Sequence, residues 1–309
     1  MNVSVSIVIV NWNGKIFLKD CLESLLGQTY NGHTVILVDN GSTDDSVKFV
    51  KETFSNVKLC LLDRNYGFAK GNNLGIKYAL ENYNPEYILL LNNDTKIVDK
   101  TFLNGFIDAA ENDKEAGILG CKIVFPDGRT QHLGTRITLL SWEFIKQESS
   151  SPYEVDCIMG SVFLIKKAVI DRIGLLDEGF SPFLHEEADY CLRAKKAGFR
   201  VKVIPALKVI HYWSGSMNRI PSEEFLLNLY KNSIRLKLLN DPFFLLMPKL
   251  ALNFFSCVFE KSSDAALGFK LQRKFLGNIL LYFKAVSLNV KNLLEIIRKR
   301  HNRIARLWY

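Results

Sequence analysis

Four acidic positions and one histidine carry the chemistry this chain could perform. Asp94 closes the stretch YILLLNNDT (87–95), where five apolar residues give way to Asn92, Asn93 and Asp94. An apolar run of that length suits a strand buried on both faces. Ligands of open α/β sheets sit just beyond the carboxyl ends of such strands. A carboxylate there, flanked by amides, can hold a divalent cation and orient a polar ligand. Asp39 ends a second apolar run, VILVD (35–39). It can accept hydrogen bonds from a heterocycle N–H or a ribose hydroxyl, or close an Asx-turn into the next helix. Glu186 and Glu187 open a helix-like segment, where the helix dipole favours ionised acids and so suits a general base as well as a simple helix start. His211 lies among apolar residues in VIHYWSGS (209–216). Beside a carboxylate site it becomes a candidate cation ligand.

Two further stretches could touch a ligand. RNYGFAKGNNLG (64–75) holds three glycines and three asparagines around two aromatics. It reads as a loop whose glycines admit a close backbone approach and whose amides donate or accept. CIMGSVFLI (157–165) reads as a buried strand with Gly160 and Ser161 in its middle, where a glycine often marks a close approach of ligand or backbone.

The elements that must position these residues follow from periodicity. Strands are expected over 3–10, 34–38, 57–62 and 87–91, with helices over 15–26, 44–54 and 71–82, the second capped by Ser42 or Thr43. This alternation implies a parallel, Rossmann-like sheet. A helix at 102–112 and a strand at 117–125 follow, with a turn at 126–129 leading a hairpin toward Leu133. The stretch 135–153 reads as exposed. A helix from Glu186 to about Ala197 stops at Gly198, and a strand covers 199–204. The turn after the first strand is Asn11-Trp12-Asn13-Gly14, and neither GxGxxG nor GxxxxGK[ST] occurs, which excludes a dinucleotide dehydrogenase and a P-loop NTPase.

The 309 residues, 48% apolar and 23% charged, suit a globular chain of one large domain plus an appendage. Six scattered cysteines fit reduced thiols in a cytosolic setting and argue against a zinc ribbon or a disulfide framework. The amino-terminal stretch has no basic leader and too short an apolar run for a signal peptide. The net charge of +8 is uneven: residues 219–309 hold 16 Lys and Arg against 6 Asp and Glu, and the other residues are slightly acidic. That segment reads as helices. Its apolar runs at 242–259 and 275–290 are broken by Pro248, Lys249 and Lys284, short of the roughly 20 apolar residues of a membrane span. Apolar faces with basic flanks suit helices lying in a membrane interface, a helical cap on the first part, or a homodimer contact. The basic tail lacks a recognisable nucleic-acid motif, so no nucleic acid partner is expected. A division at 218/219 and a place at the cytoplasmic face of a membrane are therefore expected.

Seven stretches together resemble a known family: VSIVIVNWNG, VILVDNGSTDDS, NYGFAKGNNLGI, YILLLNNDT, MGSVFLIKKAVIDRIGLLDEGF, EEADYCLRAKKAGFRV and VIHYWSGS, in this order, over residues up to 216. They are similar to family 2 inverting glycosyltransferases, in the rhamnosyltransferase-like branch. The resemblance implies the glycosyltransferase A-type fold, an α/β architecture with a Rossmann-like, mixed, mostly parallel sheet and here a C-terminal helical extension. It implies a UDP- or dTDP-sugar donor and a glycan or lipid-linked glycan acceptor. Asn11 and Asp39 would bind the base, with Asn65 and Gly67 at the nucleoside. Asp94 would ligate Mg²⁺ or Mn²⁺ with Asn92 nearby and His211 completing the shell, and Gly160 and Ser161 would lie beside sugar and acceptor. The family usually carries Glu-Asp-x-Asp, its first Asp being the base; here the motif is Glu186-Glu187-Ala188-Asp189. Glu187 takes the place of the base and Glu186 is second choice, while Asp189 supports the helix or loop. The longer Glu187 side chain also admits a non-catalytic protein that binds sugar nucleotide or a partner. A sugar-nucleotide pyrophosphorylase would carry a Gly-rich, Arg-containing loop where Asn11–Gly14 stands.

Overall fold

The computed structural model describes residues 3–138, 142–147, 149–212, 222–259 and 275–305. Strand β1 (Val5–Asn11), helix α1 (Lys15–Leu26), β2 (His33–Asp39), α2 (Ser46–Thr53), β3 (Lys58–Leu61), α3 (Phe68–Asn82) and β4 (Tyr87–Asn92) alternate along the first third of the chain. Their strands pair in parallel in the order β4-β1-β2-β3. Helices cover both faces, which explains the continuous apolar runs. On one face Ile7, Ile9 and Leu37 pack with Leu18 and Leu22 of α1; on the other Val8, Ile36 and Val38 pack with Ile76 and Ala79 of α3.

The sheet then widens. β5 (Thr95–Ile97), α4 (Phe102–Glu111), β6 (Ala116–Val124), β7 (Thr130–His132), β8 (Thr135–Ile137), β9 (Trp142–Phe144), β10 (Tyr153–Glu154), β11 (Val162–Lys166), α5 (Lys167–Ile173), α6 (Glu186–Lys196) and β12 (Arg200–His211) follow in the chain. The strand order is β10-β12-β6-β11-β4-β1-β2-β3, with β5 on β12 and β7 on β6. β11 is antiparallel to both β4 and β6, and β12 is parallel to β6, so the long strands β6 and β12 run with the first four. The result is a mixed, mostly parallel sheet. Four helices end the described chain: α7 (Ser222–Asn240), α8 (Phe243–Phe259), α9 (Phe275–Lys291) and α10 (Leu293–Ala305). Phe225, Tyr230, Tyr282 and Ala285 form their own small core.

Several expectations are corrected. The glycine-rich stretch is mostly helix: α3 starts at Phe68, and Gly71 and Gly75 lie inside it. A Cβ on Gly75 would come within 2.7 Å of Val38 and closer still to Val8, so this glycine serves helix-on-sheet packing rather than a ligand. The strand expected from 157 starts only at Val162, which leaves Gly160 and Ser161 in the turn before it. Helix α2 starts at Ser46; neither Ser42 nor Thr43 caps it, and the Asp44 side chain accepts from the Ser46 N–H at 3.0 Å. The strand at 199–204 and the residues up to His211 are one strand, whose register slips between Ile204 and Lys208. Pro205 sits there with no N–H for the ladder. The exposed stretch after 135 contains the β8–β9 ribbon. The expected division at 218/219, with Trp213–Ser216 of the last motif and the terminal residues 306–309, lies outside the described residues.

Candidate active site

The strand ends bring most of the candidate residues to one edge of the sheet. Asn11 and Asp39 are the last residues of β1 and β2 and face each other in register. Val10 of β1 faces Asn92, the last residue of β4. Ser161, just before antiparallel β11, accepts the Asn92 N–H at 3.0 Å, and His211 ends β12 opposite Thr95.

Asp39 is held from beneath. Its Oδ1 accepts from Asn11 Nδ2 at 3.2 Å, and its Oδ2 accepts from the Ser42 N–H at 2.9 Å. Asn11 is fully buried. It also donates to Ser42 Oγ and accepts from Asn93 Nδ2 at 2.8 Å. Both N–H bonds of its amide are thus spent inside the protein, on Asp39 and Ser42. Asn40 fixes the neighbouring loop, donating to Asn65 Oδ1 (3.0 Å) and the Gly67 carbonyl (3.2 Å) and accepting from the Tyr66 N–H. Asn65 Oδ1 also takes the Gly67 N–H, while the side chain stays exposed. Gly67 has φ +82, and a Cβ there would lie 2.7 Å from the Pro182 carbonyl oxygen, so glycine is required on both counts.

Asp94 and His211 meet in a buried pair, with Nε2 3.2 Å from Asp94 Oδ1 and 3.3 Å from Asn92 Nδ2. His211 Nδ1 lies 2.7 Å from Gln131 Oε1 on β7. The tautomer with its proton on Nδ1 donates to Gln131 and leaves Nε2 as the atom that could ligate a cation beside Asp94. Carboxylate, imidazole and amide suit Mn²⁺ or Mg²⁺. No group of three or more His, Cys, Asp or Glu that could hold a metal occurs among the described residues. Two protein ligands are enough where substrate phosphates and water complete a magnesium-type shell.

The acidic pair stands at the start of α6, next to the same edge. A Cβ placed on Gly160 would touch Phe68 at 3.4 Å and Glu187 Cβ at 3.5 Å. Glu187 is half-buried, and burial raises its carboxyl to about 7. Glu186 lies deeper, and its Oε2 has no partner among the described residues. Burial, then the neighbouring Glu187 charge, push its pKa far above the usual carboxylate range. Adjacent acids in different environments divide the work: burial favours the neutral form of Glu186, and Glu187 is poised to exchange a proton.

The backbone leading to the pair is held in an unusual way. Leu184 and His185 both have left-handed φ, +78 and +71, which costs free energy for side-chain-bearing residues. Asn232 of α7 compensates, its buried Nδ2 donating to the carbonyls of Phe180 (2.6 Å), Phe183 (2.7 Å) and Leu184 (3.0 Å). Asp189, fully buried in α6, accepts from Arg193 (2.9 Å), Asn240 of α7 (2.8 Å) and Arg303 of α10 (2.7 Å). Burial alone would raise its pKa; the Arg303 and Arg193 charges outweigh it and hold the carboxyl low. Asp177, before α6, is clamped by Arg235, Lys299 and Arg303 and is likewise held far below its usual value against the effect of burial.

Residues 6–174 match the family model described as Glycosyl transferase family 2. The chain belongs to this family. Among curated relatives, the O-antigen biosynthesis protein RfbC of Myxococcus xanthus is 27% identical over 242 residues, 72% of this chain but only 18% of that protein. The dTDP-rhamnosyl transferase RfbF of Shigella flexneri is 28% identical over 218 residues, 68% of this chain and 70% of its own. Among solved structures, S. aureus TarS 1–349 in complex with UDP has TM-score 0.57 at 18% identity, covering 99% of this chain and 89% of that one. The mannosyltransferase PcManGT from Pyrobaculum calidifontis in complex with GDP-Man and Mn²⁺ has TM-score 0.56 at 14% identity, covering 99% and 86%. These likenesses show the A-type fold.

Against this family background, four residues stand out that motif reading passes over. Gln131 orients His211, Asn40 fixes the 65–67 loop, Asn232 clamps the loop before the acids, and Arg303 neutralises Asp189. Asn40 follows Asp39 directly, so a polar residue at a strand end was its available signal. The other three lie 48 to 114 positions from the atoms they hold, and nothing local marks them.

Proposed function

We propose that this family 2 glycosyltransferase is metal-dependent and inverting, moving a sugar from a UDP- or dTDP-sugar to a hydroxyl of a glycan or lipid-linked glycan. The observation that carries the reading is the meeting at one sheet edge of Asp39, the Asp94–His211 pair and, across Gly160, the raised-pKa Glu187. Asp39, braced by Asn11 and the Ser42 N–H, keeps its carboxylate directed for a donor N–H or ribose hydroxyl. Asn65 and Gly67 line the nucleoside side. Asp94 and His211 would hold Mg²⁺ or Mn²⁺ beside Asn92, and the bound cation would offset the charge gathering on the departing diphosphate. Glu187 accepts the proton of the acceptor hydroxyl as its oxygen bonds to the anomeric carbon. The bond from that carbon to the nucleoside diphosphate breaks with its electron pair, and a single displacement inverts the centre. Glu186 is buried beside Glu187, and burial opposes a second negative charge there. Gly160 leaves room beside Glu187 for sugar and acceptor, and Ser161 fixes that turn to Asn92.

The name of RfbF supports a dTDP-sugar, the UDP bound in one structural neighbour supports a UDP-sugar, and the Mn²⁺ of another supports the cation. Among the described residues no helix is long and apolar enough to cross a membrane. The outward faces of α8 and α9 nevertheless expose Phe243, Phe244, Met247, Leu276, Leu280 and Phe283. An apolar face of this kind on basic helices supports peripheral contact with the cytoplasmic side of a membrane, where a lipid-linked acceptor would be presented. The test is sugar release across a panel of UDP-, dTDP- and GDP-sugars, with Mn²⁺ and with excess EDTA. One UDP- or dTDP-sugar should turn over, EDTA should abolish the reaction, and Mn²⁺ or Mg²⁺ should restore it. Full activity in EDTA would remove Asp94 and His211 from metal binding, and no binding of any donor would overturn the reading.

A further inference from the structure

A cavity of about 560 Å³ lies between the end of α5, the C-terminal half of α6, the α7–α8 turn and α10; none of the candidate donor, metal or base residues lines it, though Arg193, Asn240 and Arg303, which hold Asp189, do. Six cations face it, Arg172, Arg193, Lys196, Lys299, Arg300 and Arg303, against the carboxylates Asp177, Glu178 and Asp241. Three of the cations are already committed: Arg193 and Arg303 to Asp189, Arg303 and Lys299 to Asp177, and Lys299 also to Glu295. Asp241 is paired with Lys249. The other three have no carboxylate partner among the described residues. Lys196 Nζ reaches only the Asn240 carbonyl (2.8 Å) and amide oxygen (3.3 Å). Arg300 donates only to the carbonyls of Leu238 and Asp241, both at 2.6 Å. Arg172 is exposed at the rim with no bond or ion pair. Burial lowers the Lys196 pKa, with Arg303 and Arg300 acting in the same direction and Asp189 and Asp241 against it.

The rim continues into the apolar face. Pro242 lines the cavity, and the next two residues, Phe243 and Phe244, are 84% and 77% exposed. On α10, exposed Leu294 and Ile297 precede Arg300. We propose that this cavity is the headgroup site of an anionic phospholipid, occupied when the α8–α10 face lies on a membrane. The proposal rests on the membrane contact inferred above. A phosphodiester needs cations not already neutralised, and the adjacent apolar rim gives its acyl chains a path into the bilayer.

Vesicle flotation of the full chain tests it, using phosphatidylcholine with and without phosphatidylglycerol. The pair Arg172→Gln with Lys196→Gln is compared with Lys284→Gln with Lys291→Gln, an equal charge change outside the cavity. Charges that converge on one headgroup weigh more than scattered ones, so the cavity pair should lose about tenfold more phosphatidylglycerol affinity than the other pair, with phosphatidylcholine binding unchanged. Arg172→Glu alone, at an exposed position, repeats the test if Lys196→Gln perturbs folding. Equal losses from the two pairs would overturn the cavity and leave the membrane contact standing. No binding of the wild type to either vesicle would overturn both. Release from phosphatidylglycerol vesicles by free glycerol phosphate at low millimolar concentration would make this a soluble-phosphate site and overturn the lipid assignment.

Discussion

The donor edge and the acidic helix meet at Gly160 and Asn92, yet they are held in opposite ways. At the donor edge the supports are neighbours in the sheet: Asn11 braces Asp39 across one strand pairing, and Asn93 braces Asn11. Around the acidic helix the supports come from the far end of the chain. Asn232 holds carbonyls 48 to 52 positions earlier, and Arg303 reaches Asp189 across 114 positions and Asp177 across 126. The proposed donor site is therefore a property of the sheet, and the placement of Glu187, the proposed base, is a property of the C-terminal helices. Damage to those helices should reduce turnover while sparing nucleotide affinity.

Arg303→Ala should break the comparison most severely. It strips a guanidinium from two buried carboxylates at once, and leaving a buried charge uncompensated costs about 3–5 kcal/mol. Chemical denaturation should show that loss, whereas a change within experimental error would mean that Arg193 and Lys299 suffice. Asn232→Ala is the next largest. It leaves three buried carbonyls short of a donor, for about 2–4 kcal/mol at the usual cost of unsatisfied groups. In the folded variant kcat should fall and nucleotide Kd should stay within about twofold, a split that a purely structural role would not produce.

The two regions also differ in pH response. Asp177 and Asp189 have depressed folded pKa values, so their contribution is complete above the ordinary carboxylate pKa of 3.8 and is lost as pH falls below it. The C-terminal helices should loosen there first, as hydrogen exchange of α7 and α10 would report. Glu187 is shifted the other way, to about 7. A base must be deprotonated, so kcat/KM should fall about tenfold per unit as pH drops below that value. A flat profile from pH 5 to 8 would assign the base elsewhere.

How far the sequence revealed this follows the same division. Asp39, Asn92, Asp94 and His211 were legible because each ends an apolar run, and strand ends in a parallel sheet point to one edge. Glu186 and Glu187 were legible as a helix start. The helical start at Phe68 was not, because glycine and asparagine signal a loop when the packing of Gly75 on Val8 and Val38 is unseen. The start of β11 was misplaced because Cys157–Met159 are as apolar as the strand that follows, though they pack in the core as irregular chain. The clamps by Asn232, Asn240 and Arg303 depend on tertiary placement, and no local pattern encodes them.

The most direct measurement is turnover and donor affinity for Glu187→Gln. The substitution keeps size and removes only the ability to take a proton. Turnover should fall by about 10²–10⁴, the usual contribution of a positioned general base, while the donor Kd stays near that of wild type. Turnover close to wild type would contradict the assignment of the base, and a parallel loss of donor affinity would contradict the separation of the two regions.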